Sequence, residues 1–254
     1  MSLKYPILSP KGKSTKRRIY KNISISLKKF DLIENGDRLL FGFSGGKDSF
    51  TLLDYLIYLK ESVPLNISIT PVLINMDFPI KEIDEVKVFL NKKYNCNLIV
   101  RTTSISTAVE ERMTNHKNAC VLCSRLRRGF LYEMAREGDY NKLVLAHNGD
   151  DVIETFMMNI FYNSKIKGMP PKFLNNSKDV ILIRPLYYVF EKDIEFYSKE
   201  MDFPVMKSSC PLIKYRGNKR VMMKKMFDKL EIDFDRVRNN TIKSMEKIDK
   251  RFLP

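Results

Sequence analysis

A six-residue run at positions 44–49, with the sequence SGGKDS, limits the fold of this 254-residue chain more than any other feature. It follows an apolar, strand-like run at 38–43 and precedes apolar residues at helical spacing. A glycine turn from a strand into a helix directs backbone N–H groups and the positive helix end at an anion. We therefore expect the run to bind phosphate groups, with the Lys47 ammonium and the Ser44 and Ser49 hydroxyls adding charge and donors.

The spacing of this loop excludes the Walker A motif. Walker A requires glycine where Phe41 stands, and Ser or Thr directly after the lysine, where Asp48 stands. The run SGGKDS directly after a strand instead resembles the PP-loop of the N-type ATP pyrophosphatases. This resemblance implies that ATP is cleaved between its α and β phosphates and that the loop holds the departing pyrophosphate. The loop residues expected to bind the nucleotide are Ser44, Gly45, Gly46, Lys47, Asp48 and Ser49.

The pattern of a strand followed by a helix repeats along the chain. Strand patterns cover 38–43, 67–75, 98–102, 142–146 and 180–184, and helix patterns cover 19–32, 80–94, 105–115, 125–136 and 150–162. This alternation predicts an α/β fold with a doubly wound, mostly parallel five-stranded sheet. In such a sheet, ligands bind at the carboxyl ends of the strands.

The length allows one sizeable core, and the composition divides the chain into three parts. We expect a mobile basic arm over 1–21 that passes into a helix within 1–35, the ATP pyrophosphatase domain over 36–204, and a basic, helical C-terminal region over 205–254. The chain contains no run of about eighteen uncharged apolar residues, and its N-terminus lacks the apolar segment of a signal peptide. A cytoplasmic protein with no membrane partner is therefore expected.

The excess of positive charge lies in three segments without acidic residues. Residues 1–30 carry nine Lys and Arg, residues 112–132 carry five, and residues 207–227 carry seven. These 21 cations exceed the net charge of +15, so the rest of the chain has a net charge of −6. Local basic runs suit a polyanion whose phosphates release counterions on binding, although a single run is also typical of a solvated face.

Acidic and amide residues near the strand ends are the candidates for magnesium and adenine contacts. Asp48 and Asp151 are expected to bind Mg²⁺ or to position the reacting groups. The alternative for Asp151 is to stabilise the start of a helix. We also expect contacts with the nucleotide from Asn75, Met76, Asp77, His147 and Asp150.

The cysteines Cys120 and Cys123 need an explanation other than a disulfide, because a reducing cytosol disfavours structural disulfides. Thiolates at this spacing can share one metal, and zinc sites, redox sites and iron–sulfur sites all use it. His116 together with Cys120, Cys123 and Cys210 also has the composition of a closed zinc site.

Five segments together resemble the TtcA family of tRNA 2-thiocytidine synthetases. They are 44–49, 120–129 (CVLCSRLRRG), 146–155 (AHNGDDVIET), 169–172 (MPPK) and 184–186 (RPL). The resemblance implies a [4Fe–4S] cluster held by Cys120, Cys123 and Cys210, with one iron open to bind the sulfur that is transferred. It implies ATP as the co-substrate and tRNA as the partner, and leaves Cys96 as a structural thiol. Arg127 is expected either to face the cluster or to contact a tRNA phosphate.

Two departures from the family pattern leave the modified base open. The segment 208–212 reads SSCPL, unlike the second cysteine pair of the best-known members, and Gly149 stands where many members are basic. We expect thiolation of a cytidine at C2, with Asp151, Arg127 and Lys47 as catalytic residues. The alternatives are a thiouridine synthetase, another adenylating enzyme such as a lysidine synthetase, and a non-catalytic metal-dependent RNA-binding protein. The sulfur donor, a cysteine desulfurase or free sulfide, and pairing into a homodimer are open.

Overall fold

A computed structural model describes residues 6–76, 82–112, 119–207, 219–234, 236–249 and 251. The strands are β1 (Arg38–Gly42), β2 (Ser68–Asn75), β3 (Ile99–Thr102), β4 (Lys142–Leu145), β5 (Lys172–Leu174) and β6 (Ile181–Ile183). The helices are α1 (Pro10–Lys29), α2 (Lys47–Ser62), α3 (Ile83–Tyr94), α4 (Ile105–Arg112), α5 (Ala119–Glu137), α6 (Gly149–Asn163), α7 (Glu191–Glu200), α8 (Lys219–Asp233) and α9 (Val237–Met245). A 3₁₀ turn covers Pro185–Tyr188.

The sheet has the strand order β3-β2-β1-β4-β6-β5, and its pairs are parallel except for β5 with β6. Strand β1 lies in the middle, and its residues Leu39, Leu40 and Phe41 are fully buried. A strand covered on both faces reads as a continuous apolar run, which is why β1 shows no alternation. The α/β fold with a mostly parallel sheet is therefore confirmed.

The predicted count of five strands is wrong, because the sheet has a sixth strand, β5. This strand is three residues long, and its residues Phe173 and Leu174 stay roughly half exposed. It lies at the sheet edge, where pairing with β6 in antiparallel register holds it. A three-residue segment is too short to show an alternating hydrophobic pattern, so its strand conformation depends on pairing with β6.

The mobile arm predicted for residues up to 21 is also wrong over 10–21, because α1 begins at Pro10. The Ser9 hydroxyl accepts a hydrogen bond from the Gly12 N–H and caps the helix. Proline is tolerated in the first turn, where its missing N–H would have no intrahelical partner. The apolar face of α1 buries Ile19 and Ile23 completely in the main core.

A buried carboxylate ties four helices together behind the sheet. Asp54 of α2 accepts hydrogen bonds from three phenols: Tyr20 of α1 at 2.6 Å, Tyr94 of α3 at 2.7 Å and Tyr197 of α7 at 2.6 Å. Burial and the Asp54 charge raise the pKa values of Tyr20 and Tyr197, so both phenols stay protonated donors.

In the described part of the chain, no helix has the length and apolar character needed to cross a membrane.

Replacing Asp54 by asparagine is expected to lower the free energy of unfolding by about 2–4 kcal/mol, because the amide group turns one acceptor oxygen into a donor that faces a phenol. Urea unfolding followed by circular dichroism measures this change. The matched control is Asp84→Asn, at a side chain that is 92% exposed, which should change stability by less than about 0.5 kcal/mol. Equal stability of the two variants would contradict the role given to Asp54.

Candidate functional site

The loop between β1 and α2 has the geometry of an anion-binding turn. Gly45 has a φ of +73°, a conformation that favours glycine, and the helix begins directly after Gly46. Ser49 closes the loop, since its hydroxyl accepts from the Ser44 N–H at 3.0 Å and lies 2.7 Å from the Ser44 hydroxyl. Among the described residues no side chain caps α2, so its first-turn N–H groups are left for a ligand.

A cavity of about 590 Å³ opens at the carboxyl ends of the central strands. The phosphate loop, the end of β2, the first half of α5 and the start of α6 all contribute to its wall. Its lining includes the predicted site residues Ser44, Gly46, Asp48, Ser49, Met76, Arg127, His147 and Asp151. Five cations, Arg127, Arg128, Arg184, Lys207 and Arg220, also line it. The cavity therefore combines a phosphate loop with a positively charged wall.

Asp151 lies at the start of α6 and has two structural partners. It forms a capping box with Asn148, in which each side chain accepts from the backbone N–H of the other residue. Its second carboxylate oxygen accepts from Arg220 at 2.9 Å. Asp151 thus stabilises the helix start, which is one of the two alternatives considered from the sequence, and it also lines the cavity. Magnesium binding by Asp151 stays a prediction.

Asp48 is the second carboxylate of the cavity wall. Burial raises its pKa to about 6, against the lowering effect of the Lys47 ammonium, and the charge of Asp151 raises it further. The Asn148 amide donates to its carboxylate at 3.3 Å. Two neighbouring carboxylates that repel each other are a suitable pair of oxygen ligands for a divalent cation.

Lys47, Gly45, Asn75 and Asp150 are not among the residues that line the cavity. The Lys47 ammonium donates to Glu191 at 2.8 Å. Asp150 accepts from the Glu191 N–H at 2.6 Å and from Arg238 at 2.7 Å, so it joins α6 to α7 and α9. Asp77 lies outside the described residues.

The cysteine pair lies inside a helix rather than in front of one. Helix α5 begins at Ala119, six residues before the predicted start at Arg125, so Cys120 and Cys123 are neighbours one turn apart. Cys123 is buried, with its Sγ 3.2 Å from the Met76 Sδ, and Cys120 is half-buried. Ser124, directly after the pair, lines the cavity.

The remaining cysteines differ in position. Cys96 is buried in the connection between α3 and β3, before the amino end of β3. The cavity lies at the carboxyl ends of the parallel strands, so Cys96 is on the opposite side of the sheet from it. Cys210 and His116 lie outside the described residues. Within the described residues no group of three or more His, Cys, Asp or Glu side chains is arranged to hold a metal. A complete metal site on α5 would therefore require a ligand from outside that part of the chain.

Sequence reasoning missed the roles of Arg184 and Glu191. Arg184 is 5% exposed, and its Nε donates to the His147 Nδ1 at 3.4 Å. Glu191 holds both Lys47 and Lys224; burial alone would raise its pKa, but the two ammonium groups outweigh burial and lower it. The segment RPL at 184–186 was a signal for Arg184, whereas a single Glu at a helix start gave none.

Comparisons with known proteins agree with this architecture. The PP-loop domain family matches residues 16–209. A tRNA-cytidine(32) 2-sulfurtransferase of Vibrio cholerae is 36% identical over 244 residues, which cover 94% of this chain and 75% of the relative. The chain belongs to the PP-loop family of these sulfurtransferases, TtcA. The family resemblance read from the sequence is therefore confirmed.

Other TtcA relatives are longer than this chain. A tRNA-cytidine(32) 2-sulfurtransferase of Vibrio vulnificus strain CMCP6 is 41% identical over 195 residues, covering 75% of this chain and 61% of the relative. The chain thus spans about three-fifths of the length of such relatives. Among solved structures, the U34-tRNA thiolase NcsA from Methanococcus maripaludis with its [4Fe-4S] cluster superposes with a TM-score of 0.76. It is 21% identical, and the match covers 93% of this chain and 79% of that one, which establishes a shared fold.

His147 is expected to titrate near pH 4 in the folded protein, because burial lowers its pKa to about 4. The unfolded chain takes up this proton near pH 6.5. Stability from His147 is therefore fully present above pH 6.5 and is lost as the pH falls toward 4. Nuclear magnetic resonance of labelled imidazole in a His116→Gln variant, which leaves one histidine, measures the midpoint. A midpoint at or above 6.5 would show that His147 is not buried as described.

Proposed function

We propose that this TtcA protein is an ATP-dependent tRNA sulfurtransferase that adenylates the C2 oxygen of a pyrimidine and replaces it with sulfur. The expected base is a cytidine of the anticodon loop, giving 2-thiocytidine, AMP and pyrophosphate. One observation supports this reaction above all others: the phosphate loop and the helix that carries Cys120 and Cys123 line the same cavity. The names of the relatives in the TtcA family point to the same activity.

The reaction requires that oxygen be turned into a leaving group before sulfur is introduced. The C2 oxygen attacks the α-phosphate of ATP, the bond to the β-phosphate breaks, and pyrophosphate departs. A sulfur nucleophile then adds at C2, and the oxygen leaves with AMP. An activated oxygen departs far more readily than the original carbonyl oxygen, which is why the reaction needs ATP.

The chain's own residues serve the first of these steps. The Ser44 and Ser49 hydroxyls and the first-turn N–H groups of α2 bind the departing pyrophosphate, whose charge grows as the bond breaks. Asp48 and Asp151 would hold Mg²⁺, which neutralises part of that charge. Lys47 reaches the phosphates by exchanging its contact with Glu191, since a lysine side chain has several rotatable bonds.

Two of the three expected thiolates lie where they can share one metal site. Cys120 and Cys123 lie one helical turn apart at the cavity end of α5. The expected third ligand, Cys210, lies outside the described residues. When bound, a [4Fe–4S] cluster on these cysteines would leave one iron open to bind the sulfur that is transferred. The alternative is a structural zinc that His116 completes.

The positive wall of the cavity suits a tRNA substrate. Arg127 and Arg128 belong to the acid-free run 112–132, and Lys207 and Arg220 belong to the run 207–227. Guanidinium groups bind phosphates in two-pronged fashion, so these side chains can hold the tRNA backbone while one nucleotide enters the cavity. We expect this reaction to take place in the cytoplasm. We assign the core chemistry to residues 36–204 and the third thiol to 205–254.

Anaerobic purification with cluster reconstitution, followed by nucleoside mass spectrometry of tRNA incubated with ATP and sulfide, tests this function. We expect 2-thiocytidine together with pyrophosphate. The variants Cys120→Ser, Cys123→Ser and Cys210→Ser should each lower thiolation by at least about 100-fold, because sulfur transfer needs every cluster ligand. The matched control is Cys96→Ser, at the buried thiol on the other sheet edge, which should retain activity.

Three results would point elsewhere. Full turnover by the three serine variants would favour an adenylating enzyme that needs no thiols, such as a lysidine synthetase. Thiouridine in place of thiocytidine would change the target base. A colourless, zinc-loaded protein that releases no pyrophosphate with ATP and unmodified tRNA would favour a metal-dependent RNA-binding protein.

A further inference from the structure

Arg220 lies near the start of helix α8 and reaches into the wall of the phosphate cavity. Its Nη1 donates to Asp151 at 2.9 Å, its Nη2 donates to the Thr155 hydroxyl at 3.2 Å, and its Nε lies 3.4 Å from Glu154. A guanidinium has five N–H donors, so these contacts with the described residues leave donors for a ligand in the cavity. Arg220 therefore combines a fixed position with remaining binding capacity.

Helix α8 is held against the site by a second ion pair. Lys224, one turn after Arg220, donates to Glu191 at 2.5 Å, and Glu191 also holds Lys47 of the phosphate loop. Residues Met223 and Phe227 of the same helix are buried. This anchoring keeps Arg220 at the cavity without help from a ligand, which is the preorganisation that binding sites for charged groups need.

The carboxylates of Asp48 and Asp151 make a cation necessary beside them when a triphosphate binds. A bound triphosphate brings several negative charges close to the carboxylates of Asp48 and Asp151, which would repel it. Lys47 must first leave Glu191 to reach the phosphates, whereas Arg220 already lines the cavity beside Asp151. Its planar donor fork matches a phosphate group as well as it matches a carboxylate.

We propose that Arg220 binds the β- and γ-phosphates of ATP. Its remaining N–H donors turn from the Asp151 side toward these two phosphates, which the loop holds and which leave as pyrophosphate. Residues 16–209 match the PP-loop domain, so α8 lies outside the matched segment and completes the nucleotide site from there. The proposal rests on the proposed use of ATP and is independent of thiolation.

Equilibrium binding of ATP, pyrophosphate and AMP, each measured by calorimetry with magnesium present, tests this role. Arg220→Gln is expected to raise the Kd values of ATP and pyrophosphate by roughly 10- to 100-fold and to leave the Kd of AMP within about twofold, because AMP lacks the phosphates concerned. Arg220→Lys should lose less affinity, since it keeps the charge without the fork. The matched control is Lys225→Gln, an exposed charge on the same helix, with all three Kd values within about twofold.

Thermal unfolding of the same variants separates binding from folding. A purely structural Arg220 would lower the melting temperature and leave the Kd values unchanged, which would overturn the proposal, as would a loss confined to AMP. If Arg220→Gln does not fold, the Kd values of Arg220→Lys are compared with those of Lys225→Gln instead. Equal Kd values for ATP and pyrophosphate in these two variants would overturn the proposal. Wild-type protein that binds ATP but never thiolates tRNA would refute the proposed function alone, whereas thiolation with unchanged Kd values in Arg220→Gln would refute this inference alone.

Discussion

Parallel pairing of β1 with both β2 and β4 is the constraint on which the rest of the structure depends. Parallel strands end at the same sheet edge, so the loop after β1, Met76 after β2 and His147 after β4 meet in one place. The sulfur contact between Met76 and Cys123 then fixes α5 over the same edge. The phosphate loop thereby shares one cavity with the helix that carries Cys120 and Cys123, about 75 residues away in sequence.

A close backbone approach joins this edge to the C-terminal part of the chain. The Met206 N–H donates to the Gly45 carbonyl at 2.9 Å, and a Cβ on Gly45 would lie 2.2 Å from the Met206 Sδ. Glycine is thus required here both for its positive φ and for the space it leaves. The phosphate loop is thus in direct backbone contact with the part of the chain that follows the parallel sheet. From further along the chain, Arg220 of α8 donates to Asp151, and Lys224 donates to Glu191, which also accepts from Lys47 of the loop.

Local sequence patterns predicted most of the fold and part of the site. Continuous apolar runs identified the central strands, and the glycine run identified the anion site, because both signals are short in range. Strand β5 and the early start of α1 depend on pairing and packing with distant residues, which a local window does not contain. The same holds for Glu191 and Arg220: each gains its role from partners about 70 to 140 residues away, so an isolated charge in the sequence gave no sign of it.

The convergence of the phosphate loop and the cysteines is tested most directly by locating iron and nucleotide in one crystal. Anaerobically reconstituted protein would be crystallised with a non-hydrolysable ATP analogue, and anomalous diffraction recorded at the iron edge. A cavity of this size requires the iron to lie on the order of 10 Å from the α-phosphate, bound by Cys120 and Cys123. Iron more than about 20 Å from the α-phosphate, or a site with zinc alone, would contradict the account.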